Sequence, residues 1–265
     1  RHAVERDDAA EPDVDVVNFE NVRGHRIVAL DGVSFTMPKG KIVGLIGPNG
    51  AGKTTLFNCL SRLYVPTEGD IRFKGKTILD SPPHHIADIG IGRTFQNLAL
   101  FSSMTVLENV MVGGHSTTKS DFFSNALRLP ARGREEKELR DRSGALIEYL
   151  GLGDVAHSIV AGLPFGTQKR VELARALASS PELLLMDEPA GGLNHVELDA
   201  LGALIQQIRD DRGITVLLVE HHMGLVMSIS DKVVAIDFGR KISEGTPEEV
   251  QNDPEVIRAY LGTGE

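Results

Sequence analysis

The spacing of apolar residues changes twice along this chain. Short runs open it, "VDVVNF", "RIVAL" and "VSFTM", and "KIVGLI" follows, nearly all apolar as a strand buried on both faces requires. A helix is expected after Gly52, then a hairpin in "DIRFKGKTIL" that turns at Lys74-Gly75. From about Thr94 to Ser180 the apolar residues take helical spacing in "MTVLENVMV", "REEKELRDRSGALIEYLGL" and "QKRVELARALA". The polar stretch among them, "GGHSTTKSDFFSNALRLPARG", predicts a loop or a mobile helical excursion. Strand signals return with "ELLLMDE", "ITVLLVE" and "KVVAID", separated by helical patterns. Strand–helix alternation on both sides predicts an α/β fold: a parallel sheet with a helical lobe inserted.

These changes divide the chain. Residues 1–13 are charged and aperiodic and read as a disordered acidic tail. Residues 14–93 form the first half of the core, 94–180 the helical lobe and 181–245 the second half. Residues 246–265, with "PEEVQNDPEVIRAYLG", read as a C-terminal helix.

Composition narrows the function. The 265 residues carry 28 Lys and Arg against 37 Asp and Glu, a net charge of −9, which lowers the prospect of a nucleic-acid partner. The one cysteine, Cys59, sits in the apolar helical pattern "TTLFNCLSRL" and reads as a small core residue. No stretch approaches the ~20 apolar residues needed to cross a bilayer, and no signal-peptide pattern is visible.

Chemistry enters with "GLIGPNGAGKTTL". Gly47, four residues, Gly52-Lys53-Thr54 satisfies the phosphate-loop pattern, after a strand and opening a helix. Glycines let the backbone through Gly47, Pro48, Asn49, Gly50, Ala51 and Gly52 curl its amides toward a phosphate, and Thr55 follows in the first turn. The helix dipole and Lys53 add positive charge, and the Thr54 hydroxyl is the expected Mg²⁺ ligand. Gly-x-Gly-x-x-Gly is absent here, which disfavours a dinucleotide fold. A second strand ends in Asp187-Glu188. Asp187 would hold a Mg²⁺-bound water beside the phosphate loop, and Glu188 would polarise the attacking water.

"LPFGTQKRVELARAL", Leu163 to Leu177, reads by itself as a Pro-Phe-Gly turn and a basic helix with Thr167 as N-cap.

Together these motifs resemble the ATP-binding cassette (ABC) ATPases. The resemblance implies a P-loop core with an N-terminal antiparallel β subdomain and the inserted helical lobe, binding ATP and Mg²⁺. Gln96 in "GRTFQNLALF" matches the Q-loop, expected at Mg²⁺ or water. His221 in "LLVEHHM" matches the switch histidine at the γ-phosphate, and His222 stands where the family usually has Asp. Gly192, Leu193 and Asn194 match the dimer-contacting D-loop.

The family's signature, Leu-Ser-Gly-Gly-Gln, aligns with Leu163, Pro164, Phe165, Gly166 and Thr167, followed by Gln168. There it would touch ATP held by the opposite subunit. Pro164 and Phe165 replace Ser and Gly, so a hydroxyl and an amide are lost, and a lost hydrogen bond to a charged phosphate is worth roughly 1.5–3 kcal/mol. No aromatic stands where the family stacks adenine, near Gly24, and His25 or Arg26 is the expected substitute.

The nearest resemblance is to the ATPase subunit of branched-chain amino acid importers, from about Val14 to Gly262. It implies a peripheral protein at the cytoplasmic face of the plasma (inner) membrane. Its partners would be a sister ATPase in a heterodimer (a homodimer remaining open), transmembrane permease subunits and, indirectly, a solute-binding protein. The segment "NLALFSSMTVLEN" would meet the permease. Amide, urea or lipid cargo stays open as an alternative, and a soluble ABC ATPase acting on nucleic acid or the ribosome is the rival from another class.

Overall fold

The structure, a computed structural model, describes residues 14–20, 23–24, 27–94, 98–115 and 130–261. The expected tail at 1–13 and most of the polar stretch at 113–133, namely 116–129, therefore lie outside the described residues.

Two main sheets form. Strands β1 (Val14–Glu20), β4 (Asp31–Met37), β6 (Asp70–Phe73) and β7 (Lys76–Thr77) make an antiparallel sheet in the order β4-β1-β6-β7. β2 (Arg23–Gly24) and β3 (Ile27–Val28) pair as a small ribbon. Alternation along β4 buries Val33, Phe35 and Met37 on one face.

The second sheet has the order β12-β11-β5-β10-β9-β8. Its strands are β5 (Ile42–Ile46), β8 (Ile91–Arg93), β9 (Leu183–Asp187), β10 (Thr215–Val219), β11 (Lys232–Asp237) and β12 (Arg240–Gly245). All neighbours are parallel except the β11–β12 hairpin. β5, β9 and β10 are buried throughout, which explains their unbroken apolar runs. Period 2 still governs them. Leu183, Leu185, Leu217 and Val219 enter the core shared with the antiparallel sheet, while Leu184, Met186, Val216 and Leu218 enter the core beneath the helices.

Helix α1 (Lys53–Leu60) fills the space between the sheets with Leu56, Phe57 and Leu60. The inserted lobe comprises α2 (Val106–Gly113), α3 (Pro130–Tyr149) and α4 (Phe165–Leu177). Val110, Leu146, Ile147, Val171 and Ala174 join it to the opposite face of the parallel sheet. α5 (His195–Arg212) and α6 (Met223–Ile229) complete the core half.

The expected single helix over 246–265 is instead two, α7 (Pro247–Gln251) and α8 (Pro254–Leu261). Pro254 lacks an N–H and pushes Asp253 out of helical conformation, so the first helix ends and a second begins.

Register sets up the site. Val219 pairs with Leu45 on one side and Asp187 on the other. The carboxyl ends of β5, β10 and β9 thus lie level, and the loops leaving them converge at one edge.

Candidate active site

The loop after β5 is built around glycine geometry. Gly47 has φ 158°, and a Cβ there would stand 2.1 Å from the carbonyl oxygen of Ile236. Gly52 is the N-cap of α1 in left-handed conformation at φ 104°, with Ala29 O 2.7 Å from where its Cβ would be. No side chain caps α1, so its first-turn amides face an anion-sized cradle. Lys53 is buried, and its ammonium donates to the carbonyls of Gly47 (2.6 Å) and Pro48 (2.9 Å). Burial pulls the Lys53 pKa down, while the nearby Glu188 and Asp187 carboxylates pull it up less strongly. These residues fit a polyphosphate.

Asp187, the last residue of β9, is buried and accepts from Arg93 Nη2 at 3.1 Å. Arg93 also donates to Asn58 Oδ1 (2.9 Å) and Ser61 Oγ, which ties β8 to α1. Burial raises the Asp187 pKa, Arg93 opposes the rise, and Glu188 and Glu220 add to it. Asp187 closes β9 and Thr54 stands in the first turn of α1; among the described residues no group of three or more His, Cys, Asp or Glu could hold a metal ion. Gln96 lies outside the described residues, as does His25.

Glu188 occupies the left-handed region at φ 48°, rare for a residue with a side chain. Its amide donates to Val219 O at 2.9 Å, and its Oε1 lies 2.6 Å from His221 Nε2. A cavity of about 540 Å³ brings this pair together with Asn49, Gly50, Ala51, Gly52, Lys53, Thr54 and Thr55. Gly47 and Pro48 shape the loop from behind without lining the cavity.

Sequence reasoning missed Glu220. It is buried at 2% exposure between β10 and His221. One oxygen accepts from the Ala190 amide (2.6 Å), the other from the His221 amide (3.0 Å) and lies 3.3 Å from His222 Nδ1. Glu220 therefore fastens the loop after Glu188 to the loop bearing His221. Only an acid directly before the histidine was visible in sequence, and acids at strand ends are common.

The turn before α4 corrects one expectation. Its N-cap is Pro164, the helix starts at Phe165, and Thr167 is the third helical residue rather than the cap. Proline's fixed φ, here −55°, suits a cap position, and its missing N–H is not needed there. No side chain caps this helix, although Gln168 Nε2 donates back to Leu163 O at 2.8 Å.

The turn meets the loop that leads into α5. Gly192 has φ 82°, and a Cβ there would lie 2.9 Å from Phe165 Cε1. Asn194 caps α5, accepting from the Glu197 amide at 3.0 Å, and a Cβ on Gly166 would stand 2.7 Å from Glu197 Oε1. Gly166, Thr167 and Leu193 line a separate cavity of about 560 Å³. Within one chain none of Leu163, Phe165, Gly166, Thr167 or Gln168 lines the cavity at Lys53.

A phosphate loop on a parallel sheet, with an acidic strand end and a histidine at its mouth, defines a P-loop nucleoside triphosphatase. The model of the ABC transporter family matches residues 30–191, and that of the branched-chain amino acid ATP-binding cassette transporter matches residues 240–265. The chain is 44% identical over 246 residues to the high-affinity branched-chain amino acid transport ATP-binding protein LivG of Salmonella typhimurium, covering 93% of this chain and 96% of that one. It is also 44% identical over 236 residues to BraF of Pseudomonas aeruginosa, similarly named, covering 89% and 92%. A nucleotide-free ATP-binding cassette from an ABC transporter superposes with TM-score 0.81 at 30% identity, covering 94% of this chain and 98% of that one. The chain belongs to the ABC transporter family, as an ATP-binding-cassette ATPase.

Proposed function

We propose that this chain binds and hydrolyses Mg²⁺–ATP to drive a membrane importer of branched-chain amino acids. The observation that carries the chemistry is the cavity joining the Gly50–Thr55 loop to the Glu188–His221 pair. The loop amides and Lys53 bind the phosphates. Glu188 takes a proton from the attacking water, and His221 orients Glu188 and contacts the γ-phosphate. Thr54 and Asp187, with Gln96, would hold Mg²⁺, which when bound neutralises phosphate charge. The cargo follows from the relatives' printed names and from the family matched at residues 240–265.

The signature turn completes a second chain's site. None of its residues lines the cavity at the chain's own phosphate loop, which supports that reading, as does the uncapped N-terminus of α4. Pro164 and Phe165 weaken that half-site, which favours a sister ATPase with an intact signature over a homodimer. Permease subunits would dock on the lobe near "NLALFSSMTVLEN", of which residues 98–109 are described, and a solute-binding protein would deliver cargo to them. No described helix is long and apolar enough to cross a membrane. Beside such permease subunits the chain would act peripherally at the cytoplasmic face. Nucleotide binding by titration, with and without Mg²⁺, tests the reading. Saturable Mg²⁺-dependent ATP binding is expected, and none at millimolar ATP would overturn it.

A further inference from the structure

The β11–β12 hairpin turns on Phe238 and Gly239, both at positive φ, 45° and 76°. Asp237 pairs with Arg240 across it, the pattern of a tight two-residue turn. Asn, Asp or Gly normally holds the first of these positions, because a bulky side chain is disfavoured in left-handed conformation. Here a phenyl ring occupies it and is 84% exposed. Backbone strain of this kind clusters at functional sites, and here it holds an exposed ring where a ligand can reach it.

The position of the turn indicates what that is. The Gly239 amide donates to Ala51 O at 3.0 Å, and Gly239 O accepts from the Asp31 amide at 2.7 Å. These bonds fasten the turn to the phosphate loop on one side and to the Ala29–Asp31 segment on the other. Phe238 lines the 540 Å³ cavity together with Ala29, Asn49 and Thr55. That volume lies within the range of nucleotide-sized ligand pockets, roughly 300–1,000 Å³. Among the described lining residues, Phe238 has the one six-membered aromatic ring. Small and polar groups hold a triphosphate but offer a purine no apolar face.

We propose that Phe238 is the base-contacting residue of this ATPase: its ring provides the stacking surface for the purine of a nucleotide whose phosphates sit on the Gly47–Thr55 loop. The proposal rests on the ATP-binding reading above and deepens it. It assigns to the far hairpin a task that sequence reasoning gave to His25. Affinity beyond that of the bare triphosphate then comes from Phe238, and the same flat contact makes ATP and GTP similar ligands.

The test measures dissociation constants for ATP, GTP and inorganic tripolyphosphate in the full chain and three variants. Phe238→Asn keeps a residue that favours the turn, so loss of affinity cannot be assigned to misfolding. It should bind ATP and GTP about tenfold more weakly while tripolyphosphate binding stays within twofold. Phe238→Trp provides a single indole in a chain without tryptophan. Its emission should change on adding ATP and not on adding tripolyphosphate. His25→Ala should retain the preference for ATP over tripolyphosphate. Unchanged ATP binding in Phe238→Asn overturns the proposal, even if assembly with other subunits weakens. Loss of the preference in His25→Ala alone also overturns it. If wild type binds neither ATP nor tripolyphosphate, the ATPase reading fails instead, and the two failures are told apart.

Discussion

Helices α2, α5 and α7 begin differently from α1 and α4. The first three carry closed capping boxes, Thr105 with Glu108, Asn194 with Glu197 and Thr246 with Glu249. In each, two backbone donors that the helix leaves open are satisfied by its own side chains. α1 has Gly52 and α4 has Pro164 as the N-cap residue, and neither has a side-chain cap. On the proposed reading these two ends lie in the phosphate loop and in the signature turn; α6, behind His222, also lacks a side-chain cap. A capped helix end is finished within the chain, whereas an uncapped one keeps its amides and its dipole for an outside anion. The two open ends are unequal. Around α1 the glycines, Lys53, Asp187, Glu188 and His221 are all in place. At α4 the turn retains Gly166 and lacks the family's hydroxyl.

The largest expected effect lies on the α1 side. Glu188→Gln should retain ATP binding and lower turnover by about 10²–10⁴, the range for removing a general base. Steady-state hydrolysis beside nucleotide titration checks it, and unchanged turnover would remove Glu188 from its role.

Restoring the weak end comes next. Pro164→Ser with Phe165→Gly should raise turnover of the isolated chain about tenfold, the lower end of what one hydrogen bond to a charged group contributes. No gain in hydrolysis would mean the turn does not limit the homodimer.

The caps themselves can be compared by denaturant unfolding. Asn194→Ala should cost about 1 kcal/mol. Thr167→Ala, which trims a side chain inside the helix and no cap, should cost less than about 0.5 kcal/mol. Equal losses would restore Thr167 as a cap.

The smallest effect concerns the opposite edge of the sheet, where neither open end should matter. Burial disfavours the Asp231 carboxylate, but the Ile42 amide (2.8 Å), Lys41 and Arg209 outweigh it and hold its pKa below the ordinary range. A depressed carboxylate stabilises the fold above its unfolded pKa of about 3.9 and loses that contribution as pH falls toward the lower folded value. Asp231→Asn should therefore flatten the decline in melting temperature below about pH 4. An unchanged acid limb would show that Asp231 carries no linked stability.

Some of this was legible in sequence because single residue types carry it. Gly47 and Gly52 stand where a Cβ meets a carbonyl, and Asp187-Glu188 closes an apolar run that only a buried strand explains. The start of α4 was misplaced by three residues because Thr167 has good cap chemistry while Pro164 has the right backbone. Glu220 and Phe238 escaped notice for a different reason. Each takes its meaning from a loop distant in sequence, Ala190 for one and the phosphate loop for the other. No spacing rule joins such positions before the sheet brings them level.

The central claim is that this ATPase is one half of an unequal pair, strong in its own phosphate loop and weak in the signature it lends. The direct measurement is the specific ATPase rate of the purified chain alone and after mixing with the sister ATPase. The account predicts slow hydrolysis alone and a rise of about tenfold or more on mixing, retained when the sister's own catalytic glutamate is replaced by glutamine. Fast hydrolysis by the isolated chain, unchanged on mixing, would contradict it.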